Sequence, residues 1–257
     1  MFDNLSKFLA KEYSQDFASW LIGEPVKLTE LKPTELSLEP IRADSVILLK
    51  SSQVIVHCEF QTDPDPTMGF RMADYALRIY RQFPDRPLVQ VVVYLRETSS
   101  EAAQITTFQG NNFSHEFRVI RLWEQPTAPF LERSGLLPYA ALTQTNDRAS
   151  VLREVARKID AISDRQQQSN LSMISAVMGG LSLEQHVVQQ ILRRDAVQES
   201  SVYQAWKAEN EQQGREKERQ EIALKLLQQK VAPEAIAQAT GLTIEQLQQL
   251  QTSQQQS

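Results

Sequence analysis

The stretch Asp44–Gln61, DSVILLKSSQVIVHCEFQ, decides the fold. Ser45–Leu49 and Gln53–Gln61 are rich in β-branched and apolar residues, and the short polar Lys50-Ser51-Ser52 between them suits a hairpin turn. Alternation along the second strand places Ile55, His57, Glu59 and Gln61 on one face and Val54, Val56, Cys58 and Phe60 on the other. The second set is core. A carboxylate on a sheet face needs either solvent or a chemical role, and a hairpin turning around residues 50–53 brings Asp44 to the same end as Glu59 and Gln61. Two carboxylates so close are stabilised by a divalent cation, and oxygen ligands favour Mg²⁺ or Mn²⁺ over zinc.

Outward from this hairpin, the spacing predicts helices over 4–12 and 15–22, the second with Ser14 as N-cap and Gly23 as its stop. Lys27–Pro40 reads as extended or irregular. After the breaker cluster Thr62–Pro66, residues 67–83 return to helical spacing, with Phe70, Ala73, Leu77 and Tyr80 as an apolar stripe. Leu88–Leu95, LVQVVVYL, suits a central strand covered on both faces, and 116–123 suits a further strand. Helix, hairpin, helix, strand, strand describes an α/β protein with a mixed sheet and helical cover.

From Pro126 onward helices replace strands, with expectations at 147–161, 164–178, 183–197 (started by a Ser182-Leu-Glu-Gln capping box) and 202–230. The expected division is a core at 1–125, a helical extension at 126–200, a charged linker helix at 201–230 and a helix-turn-helix-like segment at 231–257. In that last part Pro233 opens a short helix, Thr240-Gly241 ends it and Thr243-Ile-Glu-Gln is another capping box. Ten of the last thirty residues are glutamine and the final QTSQQQS reads as disordered. The helix IEQLQQLQ holds no lysine or arginine, so it suits protein interaction or homo-oligomerisation better than DNA reading.

Bulk properties exclude several classes. The 257 residues carry a formal charge of −5 and 41% hydrophobic residues, enough for a sizeable core and too acidic to coat nucleic acid by bulk charge. No apolar run approaches the roughly 20 residues that span a bilayer, and the N-terminus lacks a signal-peptide pattern, so a soluble, cytoplasmic protein without membrane partners is expected. A single cysteine, Cys58, allows neither an internal disulfide nor a cysteine-rich zinc site, and His57, His115 and His186 are scattered.

Asp44 at a strand start, followed by Glu59-Phe60-Gln61, resembles the core motif of the PD-(D/E)XK, or restriction-endonuclease-like, superfamily. RADSVILL, VIVHCEFQTDPD and FRMADYALRIYRQF resemble more narrowly the Rpn family of recombination-promoting nucleases, also described as putative transposases; SGLLPYAAL and the C-terminal Ala-Pro-Glu-Ala-Ile-Ala segment resemble it too. The resemblance implies a restriction-endonuclease-like core and a Mg²⁺- or Mn²⁺-dependent DNA endonuclease linked to recombination or mobile elements. It implies that Asp44, Glu59 and the Phe60 backbone carbonyl hold the metal, with Gln61 in place of the usual lysine. A neutral amide orients water but neither takes its proton nor stabilises charge, so slow, tightly metal-dependent cleavage is expected.

DNA contact is expected from Arg71, Tyr75, Arg78 and Arg81 on the helix after the motif, since arginine and aromatic groups suit a phosphate backbone and its bases. The same arginine face also reads as the solvated side of a surface helix, and Tyr75 and Tyr80 as packing residues. His57 reads as a local hydrogen-bonding partner behind the ligands, and Cys58 as an inert core residue. The competing functional reading is a catalytically inactive adaptor of the same fold, binding DNA or protein through its C-terminal helices.

Overall fold

The computed structural model describes residues 2–24, 29–30, 46–50, 54–192, 199–204, 207, 219–220, 222–227, 229, 231–247 and 249. Asp44, most of Lys27–Pro40, most of the charged linker and the glutamine-rich tail lie outside the described residues. The chain forms two compact units, Met1–Ser200 and Ser201–Ser257.

In the first unit α1 (Phe2–Glu12) and α2 (Ser14–Ile22) precede β1 (Thr29–Glu30), β2 (Val46–Lys50) and β3 (Ile55–Gln61). Then come α3 (Met68–Gln82), β4 (Leu88–Tyr94), β5 (Thr107–Gln109), β6 (Ser114–Glu116) and β7 (Arg118–Arg121). The main sheet runs β1-β2-β3-β4-β7. β1, β2 and β3 pair antiparallel, as the hairpin requires, whereas β3, β4 and β7 are parallel, joined by the α3 crossover and by the segment carrying β5 and β6. A mixed sheet with helical cover is therefore present, as the element order implied.

Both faces of β3 are covered. Ile55 through Phe60 are all buried, because α3 lies over one face while α2 and a buried 3₁₀ segment, Ser134–Leu142, cover the other. On that second face Phe60 stacks on Tyr139 at 5.7 Å and meets Phe17 edge-on at 6.3 Å. Full burial of Phe17 and Phe60 contributes roughly 1.5–3 kcal/mol each. Tyr139 belongs to the expected helical extension, and it packs into the same core as Phe17 and Phe60 within the unit Met1–Ser200. The run SGLLPYAAL shows no period because every residue from Gly135 to Leu142 is buried and Pro138 interrupts regular helix.

α3 buries a different stripe from the expected one. Met68, Met72, Tyr75, Ala76 and Ile79 face the sheet, whereas Phe70, Leu77 and Tyr80 are 61%, 56% and 44% exposed; only Ala73 of the expected stripe is buried. The buried row is the longer one at helical spacing, and Gly69 lets the helix lie against the small β5–β6 ladder: a Cβ there would stand 3.4 Å from the Thr107 carbonyl oxygen. The small β5–β6 ladder against α3 escaped prediction because three-residue strands carry almost no period.

The later helices α4 (Ala128–Leu131), α5 (Arg148–Asp160), α6 (Arg165–Gly179) and α7 (Gln185–Ile191) complete the unit. Asp147 and Asp164 cap α5 and α6, accepting from the amides of Ser150 and Gln167. Two expected caps are absent. Ser14 is the first helical residue after an uncapped Tyr13, and Glu184 occupies the N-cap of α7, with Ser182 turned to the carbonyls of Gly179 and Ala141 instead.

In the second unit α8 (Pro233–Thr240) ends at left-handed Gly241, φ 72°, which glycine adopts without strain. Thr243 and Gln246 form the expected reciprocal capping box: the Thr243 amide donates to Gln246 Oε1 at 2.9 Å and the Gln246 amide to Thr243 Oγ1 at 3.2 Å. Ala223, Ile236, Leu242 and Leu247 make this unit's small core. No helix among the described residues is long and apolar enough to cross a membrane.

Candidate active site

Register places His57 opposite Gln90 and Glu59 opposite Val92 on β4, and Val46 of β2 opposite Glu59. Because α3 roofs this face, Glu59 has no contact with solvent at all. Solvent therefore does not accommodate this strand carboxylate. What compensates it comes chiefly from α3. Arg71 Nη2 donates to Glu59 Oε2 at 2.8 Å and Gln61 Nε2 donates to the same oxygen at 3.1 Å.

Arg71 is itself held from two sides. Its Nη1 donates to Asp65 Oδ2 at 3.0 Å, while Asp65 Oδ1 accepts from the amide and hydroxyl of Thr67 at 2.8 and 2.7 Å. The breaker cluster is therefore more than punctuation: Asp65 organises the entry to α3 and aims the guanidinium inward. Burial alone lifts the Asp65 carboxyl, but the Thr67 bonds and Arg71 outweigh it and hold it below the usual range. Burial and then the Glu59 charge push the Tyr75 hydroxyl up; burial and then Asp65 and Glu59 do the same to Tyr94. Two carboxylates, Glu59 and Asp65, thus share the one guanidinium of Arg71.

The other oxygen of Glu59 is the unusual one. Oε1 has no hydrogen-bond partner among the described residues, and neither has Nε2 of His57, which stands 3.8 Å away. His57 is also fully buried, its ring edge-on to Tyr75 at 5.1 Å and its Nδ1 2.7 Å from Gln90 Nε2. Gln90 continues to the Met72 carbonyl at 2.9 Å and to His115 Nε2 at 2.5 Å. Burial, then the proximity of His57, lowers the His115 pKa.

The structure thus brings together Glu59, Gln61, His57, Arg71 and Tyr75. It separates the expected DNA-contact set. Tyr75 is buried in a cluster with Ile55 and Ile79, Arg71 points inward at Glu59, Arg78 pairs with Asp74 at 2.9 Å, and Arg81 remains on the exposed side. Helical spacing put Arg71, Tyr75 and Arg78 on one face, yet that face borders the sheet. Phe60 carries its ring into the opposite core while its backbone pairs with Val93 of β4. Cys58 is buried and its thiol is pushed up, by burial first and then by Glu59.

Gln90, Asp65 and His115 were not expected as part of the site. Gln90 had a legible signal: a lone amide within LVQVVVYL, a strand read as covered on both faces, must find buried partners. No group of three or more His, Cys, Asp or Glu side chains among the described residues could hold a metal ion. Searches against protein-family models, curated proteins and solved structures find no match to this chain.

Proposed function

We propose that the chain is a metal-dependent DNA endonuclease of the PD-(D/E)XK kind, similar to the Rpn nucleases and serving recombination or mobile elements. One observation carries the reading: a fully buried carboxylate, Glu59, keeps one oxygen without a hydrogen-bond partner among the described residues. A charge left partly unsatisfied in a core is costly, and such sites persist where the charge has a ligand or a reaction to serve. Of the side chains this reading assigns to the metal, Glu59 is the one the structure describes, and its Oε1 is an oxygen donor of the kind a hard divalent cation takes.

In this reading Glu59 Oε1, Asp44 and the Phe60 carbonyl hold Mg²⁺ or Mn²⁺. When bound, the cation supplies an acidified water and neutralises charge on the scissile phosphate. Arg71 and Gln61 fix Oε2, which turns Oε1 outward from their side of the carboxylate. Gln61 offers an amide that orients without accepting a proton, which makes turnover slow. DNA contact falls to the exposed Arg81, with the exposed Tyr80 next to it in the chain as a stacking group, rather than to the buried Tyr75.

A second reading has its own observation. Arg71 already supplies Glu59 with a cationic partner, as a relative that had lost its metal would require, and this favours an inactive adaptor. Cleavage of supercoiled and linear DNA across a Mg²⁺ and Mn²⁺ titration separates the two. Nuclease function requires metal-dependent nicking that disappears in Glu59→Gln and Asp44→Asn while circular dichroism stays native. Equal cleavage by the variants, or none by the wild type together with no metal-induced thermal stabilisation, overturns it in favour of the adaptor.

A further inference from the structure

One backbone carbonyl sets the hydrogen positions of three side chains beneath α3. The Met72 carbonyl only accepts, and Gln90 reaches it at 2.9 Å with Nε2, so the nitrogen end of the amide faces α3. That nitrogen also stands 2.7 Å from His57 Nδ1. With an amide N–H directed at it, Nδ1 is the lone-pair nitrogen, and the proton of the neutral ring sits on Nε2. At the far end, Gln90 Oε1 lies 2.5 Å from His115 Nε2 and, as an acceptor, requires the proton there too.

The consequence falls on Glu59. The His57 N–H faces Oε1 across 3.8 Å, and among the described residues neither atom has another partner. That separation is too long for a hydrogen bond, but a shift of about 1 Å brings it into range. A buried donor and a buried acceptor each lose by staying apart. The opposite tautomer would set two lone pairs against each other, and the Tyr75 ring packed edge-on limits rotation of the imidazole.

We propose that Gln90 is a positioning residue for Glu59: by locking His57 in the Nε2–H tautomer, it holds a donor ready for Oε1, the oxygen that Arg71 and Gln61 leave over. Gln90 touches neither substrate nor cation and acts through His57. The same tautomer keeps His57 out of any metal's ligand set, because the nitrogen facing Glu59 carries the proton. The tautomer is independent of the proposed hydrolysis; only its effect on cleavage rests on that reading.

Long-range ¹H–¹⁵N NMR of the full chain with ¹⁵N-labelled histidine tests this, since protonated and unprotonated ring nitrogens resonate far apart. His115→Phe and His186→Gln assign the rings. The expected spectrum has His57 unprotonated at Nδ1 and protonated at Nε2, unchanged in His115→Phe because the Met72 carbonyl still holds the amide. Gln90→Glu replaces the donor with an acceptor and inverts the tautomer; Gln90→Met, uncharged and similar in size, gives a mixture and serves if the buried glutamate prevents folding. A wild-type ring protonated at Nδ1, or a folded Gln90→Met with the tautomer unaltered, overturns the proposal. Where the wild type cuts DNA, Gln90→Met should lower kcat about 10–100-fold at nearly constant KM. A kcat unaffected by a scrambled tautomer removes the positioning role. Absence of cleavage in the wild type with the tautomer as expected counts against the hydrolase and leaves the lock standing.

Discussion

Arg71 and Glu59 form an ion pair of 2.8 Å in which the glutamate side chain is wholly buried and the arginine side chain is 29% exposed. The asymmetry matters: Glu59 depends on its partner far more than Arg71 does, because only Arg71 has water as an alternative.

Removing the two partners should therefore have unequal effects. Arg71→Met strands a buried carboxylate and should cost on the order of 2–4 kcal/mol, below the extreme for wholly buried pairs because Arg71 is partly solvated. Glu59→Gln keeps shape and removes the charge, so it should cost clearly less. Urea unfolding of both variants and the double mutant measures this; a smaller loss for Arg71→Met than for Glu59→Gln contradicts the asymmetry.

Acid should weaken the entry to α3. The Asp65 carboxyl lies below its usual range, since Thr67 and Arg71 outweigh the effect of burial. Its folded pKa is thus below the unfolded one. The stabilisation is complete above the unfolded value, near pH 4, and is lost as pH falls through the folded value. Unfolding free energies at pH 5 and pH 3 should show a smaller acid loss in Asp65→Asn than in the wild type. Equal losses would mean that Asp65 is not held by Arg71 and Thr67.

Cys58 should resist thiol reagents. The thiol is buried in β3 and its pKa is pushed up, so thiolate and access are both lacking. Reaction with an aromatic disulfide at pH 8 should await unfolding, rising with the same urea midpoint as circular dichroism. Labelling in the native baseline would place Cys58 in a region that opens separately.

Gly135 should tolerate no side chain. A Cβ there would stand 2.3 Å from Tyr13 Cβ and 2.7 Å from its Cγ, where the 3₁₀ segment crosses the α1–α2 junction and the Gly135 amide donates to Asp16 at 2.9 Å. Gly135→Ala should cost about 1–3 kcal/mol by overpacking, read as a lowered Tm. A neutral alanine would show that Tyr13 moves aside freely.

The strand hairpin, α3, the buried run of β4 and most later helices were legible because their residues repeat at periods of 2 or 3.6 over long enough stretches. Phe70, Ala73, Leu77 and Tyr80 misled for a related reason: α3 carries apolar residues on two faces, and period alone does not say which one meets the sheet. Glu59 stood out as a carboxylate in a core strand, and Gln90 could have been noticed by the same logic. Arg71 as its partner could not, since that pairing depends on α3 crossing above β3.

By itself, then, the sequence determined which residues are compelled to find partners: apolar runs that must be buried, and the few polar groups, Glu59, His57 and Gln90, embedded in them. Only the tertiary structure decided who those partners are. Periodicity acts between near neighbours along the chain, whereas the contacts of Glu59 with Arg71, and of His57 with Gln90, join residues twelve and thirty-three positions apart, set by the register of two strands and the roof that α3 lays over them.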